Sequence, residues 1–169
     1  MQSYKGIISF ILHCVIICYA PFIAAQLDEN KDIVTQMVNA VNTRDYKIMD
    51  ELFVTEFVRH CQATPDLNIQ SLEEMKEFLK GDLKVFPDSQ IDIEMLIAEG
   101  DLVAGLFTFT ATQEGAMGPF PATGKKVDLK YLGILRFEDD KIAEMWVEWD
   151  NIAILTQLGH FPPKEKNKE

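Results

Sequence analysis

The apolar residues of this chain change their spacing once. Up to Pro87 they recur three and four positions apart, and from Ser89 onward they alternate with polar residues at every second position. A helix brings i, i+3 and i+4 onto one face, whereas a strand brings i and i+2. Helical periodicity followed by strand periodicity, with no repeat or low-complexity linker between them, specifies one α+β domain. Leu27 to Asn42 places Ile33, Met37, Val38 and Val41 on one helical stripe, and a second short helix is expected over Asp45 to Phe57. Ser71-Leu72-Glu73-Glu74 is a capping box that opens a third helix, with an apolar stripe of Leu72, Met75, Phe78, Leu79 and Leu83 and a stop at Pro87. Four antiparallel strands are expected after it. The first sets Ile91, Ile93, Met95 and Ile97 against Asp92, Glu94 and Leu96, and turns at Glu99-Gly100-Asp101. Leu102 to Gln113 returns, Gly115 to Lys125 forms a Gly/Pro-rich loop at a pocket lip, and Val127 to Glu138 turns at Asp139-Asp140 into the last strand. Helices packed on one concave face of such a sheet enclose a blind pocket.

The N-terminus is a separate matter. Lys5 is the one charged residue among the first 25, the run from Ile7 to Ala24 is almost wholly apolar, and Ala24-Ala25 ends it. This is the pattern of a secretory signal peptide over residues 1–25, with an uncleaved membrane anchor as the alternative. Cleavage would take 25 residues from 169 and leave 144, which divide into a domain over 26–160 and a charged tail over 161–169. Export predicts a secreted or periplasmic protein with no stable membrane association after cleavage. Only Cys61 would remain of three cysteines, so no internal disulfide is expected and the core must suffice. Losing Lys5 leaves 15 basic residues against 27 acidic ones, a balance that argues against nucleic acid as a partner.

The last strand, Lys141 to Asp150, carries the densest chemistry. Its alternation puts Glu144, Trp146, Glu148 and Asp150 on one face, and Ala143, Met145, Val147 and Trp149 on the other. Three carboxylates interleaved with a tryptophan suggest a face that lines an enclosed cavity. Proton abstraction beside a carbonyl needs a base whose pKa approaches the working pH, and a donor for the developing enolate oxygen. Burial and neighbouring like charges both raise a carboxyl pKa, so Asp150 is the candidate acid/base. His60 is the candidate donor or second base, Trp146, Glu144 and Glu148 line the site, and Arg136 and Tyr131 orient substrate. Plainer roles compete at each position. Glu144 and Glu148 suit a solvated edge or salt bridges, Asp150 suits the N-cap of a helix beginning near Asn151, the tryptophans suit core or a cavity wall, and His60, just past a helix end, suits a structural or simply exposed position.

Other chemistries fail on inventory. Past the leader the serines are Ser71 and Ser89, one of them a helix cap, which leaves no serine-triad nucleophile. His60 and His160 lie far apart with no ligand spacing around either, so no metal is expected. The Gly115 to Lys125 loop lacks the phosphate-loop spacing.

Several segments together resemble a known family. They are Ala98-Glu99-Gly100-Asp101-Leu102-Val103-Ala104, Gly118-Pro119-Phe120-Pro121-Ala122-Thr123-Gly124-Lys125, Lys141-Ile142-Ala143-Glu144-Met145-Trp146 with Asp150, the closing Gln157-Leu158-Gly159, and Phe57-Val58-Arg59-His60. From Asp28 to Gly159 the chain resembles the SnoaL-like polyketide cyclases, or ester cyclases, of the nuclear transport factor 2-like superfamily. The resemblance implies a cone-shaped α+β fold and a cofactor-free intramolecular aldol condensation in which an acidic cavity residue, carried over to Asp150, moves protons. Thr110-Ala111-Thr112-Gln113 stands where the family pattern often has a histidine. The expected ligand is a small apolar or aromatic carbonyl compound, transformed by aldol cyclisation, isomerisation or hydration. The alternative is a binding module of the same fold without proton transfer. A homodimer through the open outer face of the sheet fits either.

Overall fold

Residues 25–162 are described by a computed structural model, in which the chain opens with helix α1 over residues 25–43. The rest of the expected signal peptide, and the tail from residue 163, lie outside the described residues. Helix α1 buries Ile33, Val34, Met37, Val38 and Ala40 against the sheet. The segment expected as one helix over Asp45 to Phe57 instead divides into a single turn, α2 (Met49–Leu52), and strand β1 (Phe53–His60). The reason lies in its residues. Val54, Thr55 and Val58 are β-branched and favour extended backbone, and Phe53, Phe57 and Arg59 bury at strand-like spacing.

Helix α3 (Leu72–Val85) follows, with its expected cap: the Ser71 hydroxyl accepts from the Glu74 amide at 3.2 Å, and the Glu74 carboxylate accepts from the Gln70 amide at 2.7 Å. Strands β2 (Gln90–Glu99), β3 (Leu102–Thr112), β4 (Lys126–Glu138) and β5 (Lys141–Glu148) form the antiparallel meander, and α4 (Asn151–Leu158) closes the fold. The sheet has five strands, not four, in the order β1-β5-β4-β3-β2, and β1 joins it parallel to β5 with Arg59 opposite Met145 and His60 opposite Trp146. Gly100 takes φ 60 at the first turn, and Asp139 and Asp140 take φ 49 and 61 at the second, as two-residue hairpin turns require.

A register shift in β2 corrects the expected alternation. Between Ile93 and Met95 the pairing slips, so that Leu96 and Ala98 pack inward while Met95 and Ile97 face outward. One extra residue in a strand moves every later side chain to the other face.

The concave face of the sheet meets the helices in two apolar clusters. Phe57, Phe107, Leu135, Ile142 and Met145 pack with α1 and α3, while Ala111, Val127 and Leu129 pack with Phe86 and with Ile154 and Leu158 of α4. Trp149 touches both. Phe107 needs two glycines to lie there. A Cβ on Gly105 would sit 2.4 Å from its ring and one on Gly133 3.3 Å from it, and Gly105 and Gly133 are register partners on β3 and β4.

The Gly/Pro loop between β3 and β4 is fastened by Gln113, which is fully buried. Its amide nitrogen donates to the Pro121 carbonyl at 3.2 Å, its amide oxygen accepts from the Thr123 hydroxyl at 2.9 Å, and His160 Nε2 lies 3.0 Å from that same oxygen. The Glu114 and Gly115 amides donate to the Val85 carbonyl at the end of α3.

Candidate functional site

Strand parity decides which side chains enter the cone. On β5 the buried positions include Ala143, Met145 and Val147, while Glu144, Trp146 and Glu148 turn outward. Their register partners on β4 are Arg136, Ile134 and Leu132, of which Leu132 and Ile134 are themselves exposed. The face expected to line an enclosed cavity is therefore the outer face of the sheet. The hydrophobic effect settles this: Ala143, Met145 and Val147 bury apolar surface at far lower cost than three carboxylates would.

Four of the seven residues singled out from the sequence do meet, on that outer face. His60 stacks on Trp146 with ring centroids 4.9 Å apart and planes 14° from parallel. Its Nε2 lies 3.3 Å from Glu144 Oε1, and Arg136 Nε donates to Glu144 Oε2 at 2.6 Å. The Arg136 bond first, then the His60 contact, holds the Glu144 carboxyl below its ordinary range. A groove of about 430 Å³ beside them is lined by Val54, Val58, Arg136, Glu138, Ala143 and Glu144. The other three residues, Glu148, Asp150 and Tyr131, lie away from these four and together line a second groove. The Glu148 carboxylate accepts from the Gln62 and Ala63 amides and so anchors the chain leaving β1. Asp150 is the N-cap of α4, accepting from the Ile152 amide at 2.8 Å and the Ala153 amide at 3.0 Å, a role worth about 1 kcal/mol. Its carboxylate is thus engaged with the helix and not with His60.

Tyr131 is the one of the seven that turns inward. It stacks on Phe107 at 5.1 Å, and burial alone pushes its hydroxyl pKa well up, so it stays protonated as a donor. Beside it stands Trp149, one step past the paired residues Leu132 and Glu148; the two line the same groove of about 330 Å³ at the end of β4 and β5.

The residue that β1 sends inward is Arg59, not its neighbour His60. Arg59 is 6% exposed. Its guanidinium lies 5.2 Å from the Phe78 ring centroid and 5.8 Å from that of Trp149, positions that stabilise the cation while leaving N–H groups free to point elsewhere. One of them donates to the Thr64 hydroxyl at 3.4 Å.

Sequence reasoning passed over a further interior group, Asp82 on α3. It is partly buried, and that burial raises its pKa from 3.8 to about 6 even though the Arg44 and Arg59 charges oppose the rise. Arg44 is held nearby by donating to the Val41 and Ser89 carbonyls, each at 2.6 Å. Tyr46 completes the neighbourhood: burial first, opposed by Arg44 and assisted by Asp82, raises its hydroxyl pKa. The signal was legible as an acid three residues beyond Leu79 and seven beyond Met75, on the inward stripe of α3. The helix-covered side of the sheet thus sets a cation against Phe78 and Trp149 and a neutral phenol against Phe107, and the groove of about 330 Å³ reaches Tyr131 and Trp149 of that set.

Comparison with known proteins bears on this geometry. Among solved structures, AclR from Streptomyces galilaeus, a proposed hydroxylase, is 31% identical, covers 80% of this chain and 99% of its own, and superposes with a TM-score of 0.69. IdmH from Streptomyces antibioticus, a proposed polyketide cyclase, is 25% identical over 77% of this chain and 98% of its own, with a TM-score of 0.69. A SnoaL-like protein from Jannaschia sp. CCS1 shares the fold at 20% identity, with 80% of this chain and 94% of its own covered and a TM-score of 0.71. No curated protein sequence matches the chain. The sequence pattern of the SnoaL-like polyketide cyclases matches residues 31–158. With its five-stranded sheet wrapped around helices, the chain belongs to the SnoaL-like polyketide cyclase family, within the nuclear transport factor 2-like fold.

Proposed function

We propose that this protein is an exported, cofactor-independent acid/base enzyme that acts on a small aromatic or apolar carbonyl compound inside the cone, by aldol cyclisation, isomerisation or hydration. The observation that carries this reading is the polar group set within the aromatic interior: Arg59 against Phe78 and Trp149, and Tyr131 against Phe107. Both Arg59 and Tyr131 are hydrogen-bond donors at neutral pH, so they suit a carbonyl oxygen that gains negative charge as its neighbouring carbon loses a proton. Asp150 and His60, the pair favoured from sequence, occupy a helix cap and the outer face, and the interior donors take over their part in this proposal. Export rests on the apolar run Ile7 to Ala24 and the small pair Ala24-Ala25.

The proposal includes a homodimer through the outer face of the sheet. Met95, Ile97, Leu132, Ile134 and Trp146 are exposed there, beside the ion pairs Lys130–Glu94 and Arg136–Glu144. A face with an apolar centre and charges of both signs can pair with its own two-fold copy.

The test is binding of an aromatic ketone, β-tetralone, to the chain from residue 26 onward, followed by calorimetry and by tryptophan fluorescence. Saturable binding is expected, weakened about fivefold by Tyr131→Phe through loss of one neutral hydrogen bond. Absence of saturable binding, or binding indifferent to both Tyr131→Phe and Arg59→Met, would overturn the interior as the ligand site.

A further inference from the structure

Cleavage after Ala25 makes Gln26 the first residue of the mature chain. An amino-terminal glutamine can react in a way that an internal one cannot. Its own α-amine is free, and attack on the side-chain carbonyl carbon closes an unstrained lactam within one residue, with the advantage that any well-placed intramolecular reaction holds. The fold already grips the nitrogen that this closure would expel. Gln26 lies partly buried in the first turn of α1, one helical turn before the buried Asn30 and on the same side of the helix. Its side-chain Nε2 donates to Asp140 Oδ1 at 2.9 Å and to Asn30 Oδ1 at 3.3 Å, so both of its hydrogens are taken. Asp140 is exposed in the turn between β4 and β5, where its φ of 61 aims it back at the start of α1. Cleavage also leaves an α-ammonium at the positive end of the α1 dipole, an unfavourable place for a cation, and lactam formation removes that charge.

We propose that Gln26 is a modification site: once the leader is removed, its α-amine closes on its side chain to form pyroglutamate, and Asp140 carries the proton that the step must move. This rests on the export reading, with cleavage after Ala25. The step balances without a co-reactant. A bond forms between the α-nitrogen and Cδ, the Cδ–Nε2 bond breaks, and its electron pair leaves on nitrogen as ammonia. The attacking amine must shed a proton and the departing nitrogen must gain one. The Asp140 carboxylate, in contact with the departing nitrogen, takes up that proton and delivers it there. The product has no free α-amine, so exopeptidases that bind this amine cannot begin on the exported chain. It has also lost Nε2, and with it the tether between α1 and the β4–β5 turn.

The experiment is expression of the full chain, residues 1–169, in an exporting bacterial host, with mass spectrometry of the intact exported protein and of its amino-terminal peptide. The expected species begins at residue 26, is lighter by one ammonia than the 26–169 chain, and resists Edman degradation until it is treated with pyroglutamate aminopeptidase. A chain that begins at Gln26 and keeps its free amine through prolonged storage in neutral buffer overturns the modification and leaves the export reading standing. A chain that keeps its leader overturns both. The part played by Asp140 is read from the rate of ammonia loss after a site-specific protease frees Gln26 from an amino-terminal fusion tag. Asp140→Asn accepts the positive φ and still offers an oxygen to Nε2, yet cannot carry the proton, and should slow the loss at least about tenfold. An unchanged rate in that variant removes Asp140 from the step.

Discussion

The two faces of this sheet carry the same kinds of residue and do different things with them. On the outer face every featured carboxylate has a partner: Glu144 has Arg136 and His60, Glu94 has Thr108 at 2.7 Å, and Glu148 has two backbone amides. Those groups are exposed, and water screens what they gain. On the helix-covered side a guanidinium and a phenol sit against aromatic rings with few polar partners, and burial raises the pKa of the Asp82 carboxyl, because a lower dielectric strengthens charge interactions there. Density of charged residues in a sequence therefore marks the face that needs no chemistry. Scarcity, one acid on an apolar stripe, marks the face that could use it.

Truncation across the sheet breaks or sharpens this contrast most sharply. Phe107→Ala removes a fully buried ring stacked on Tyr131 and is expected to cost about 3–5 kcal/mol. Trp146→Ala, 36% exposed on the outer face, should cost well under half of that. Urea denaturation of both measures the difference, and equal losses would mean that the outer face is as tightly packed as the inner one.

A second expectation has the opposite sign. The Asp82 pKa is raised in the folded state, so the native protein holds a proton that the unfolded chain has already released between about pH 4 and 6. That group therefore destabilises the fold in full above about pH 6, and the penalty is relieved as pH falls towards 4. Asp82→Asn should stabilise the protein at pH 7.5 by up to about 3 kcal/mol and by little at pH 4. A destabilised Asn variant at neutral pH would show that the carboxylate is structural.

The smallest change in folding free energy belongs to the outer face. Leu132→Glu, at a position 62% exposed, should alter monomer stability by no more than about 0.5 kcal/mol. It should nonetheless shift sedimentation from dimer to monomer, because it places like charges opposite one another across a two-fold axis. A wild-type protein that sediments as a monomer at micromolar concentration would remove the dimer from the proposal.

How much of this was legible follows from two residues. The α+β order, the Ser71 cap and the hairpin at Gly100 could be read because each depends on local chemistry within a few positions. Arg59 could not, since its inward direction follows from β1 being a strand, and β1 is held by parallel pairing to a strand more than eighty residues later. Reading Phe53 to Phe57 as the end of a helix, with His60 just past it, hid that parity and brought His60 forward in place of Arg59. Asp82 failed for a different reason. Its stripe was visible, but a polar residue among apolar ones is set aside when the pattern is read for packing alone. The outward turn of Glu144, Trp146 and Glu148 was an error of weighing two faces that both contain apolar residues, and only the buried areas of Met145 and Val147 decide between them.

Gln113 has a consequence beyond the loop that it fastens. Irregular segments hold their shape through many weak contacts, and losing one usually frays them by degrees. Here one buried amide bridges Pro121, Thr123 and His160, so the loop and the C-terminal end of the domain share a single fastening. The two should open together as one cooperative unit, with matched amide exchange rates, although more than thirty residues separate them along the chain.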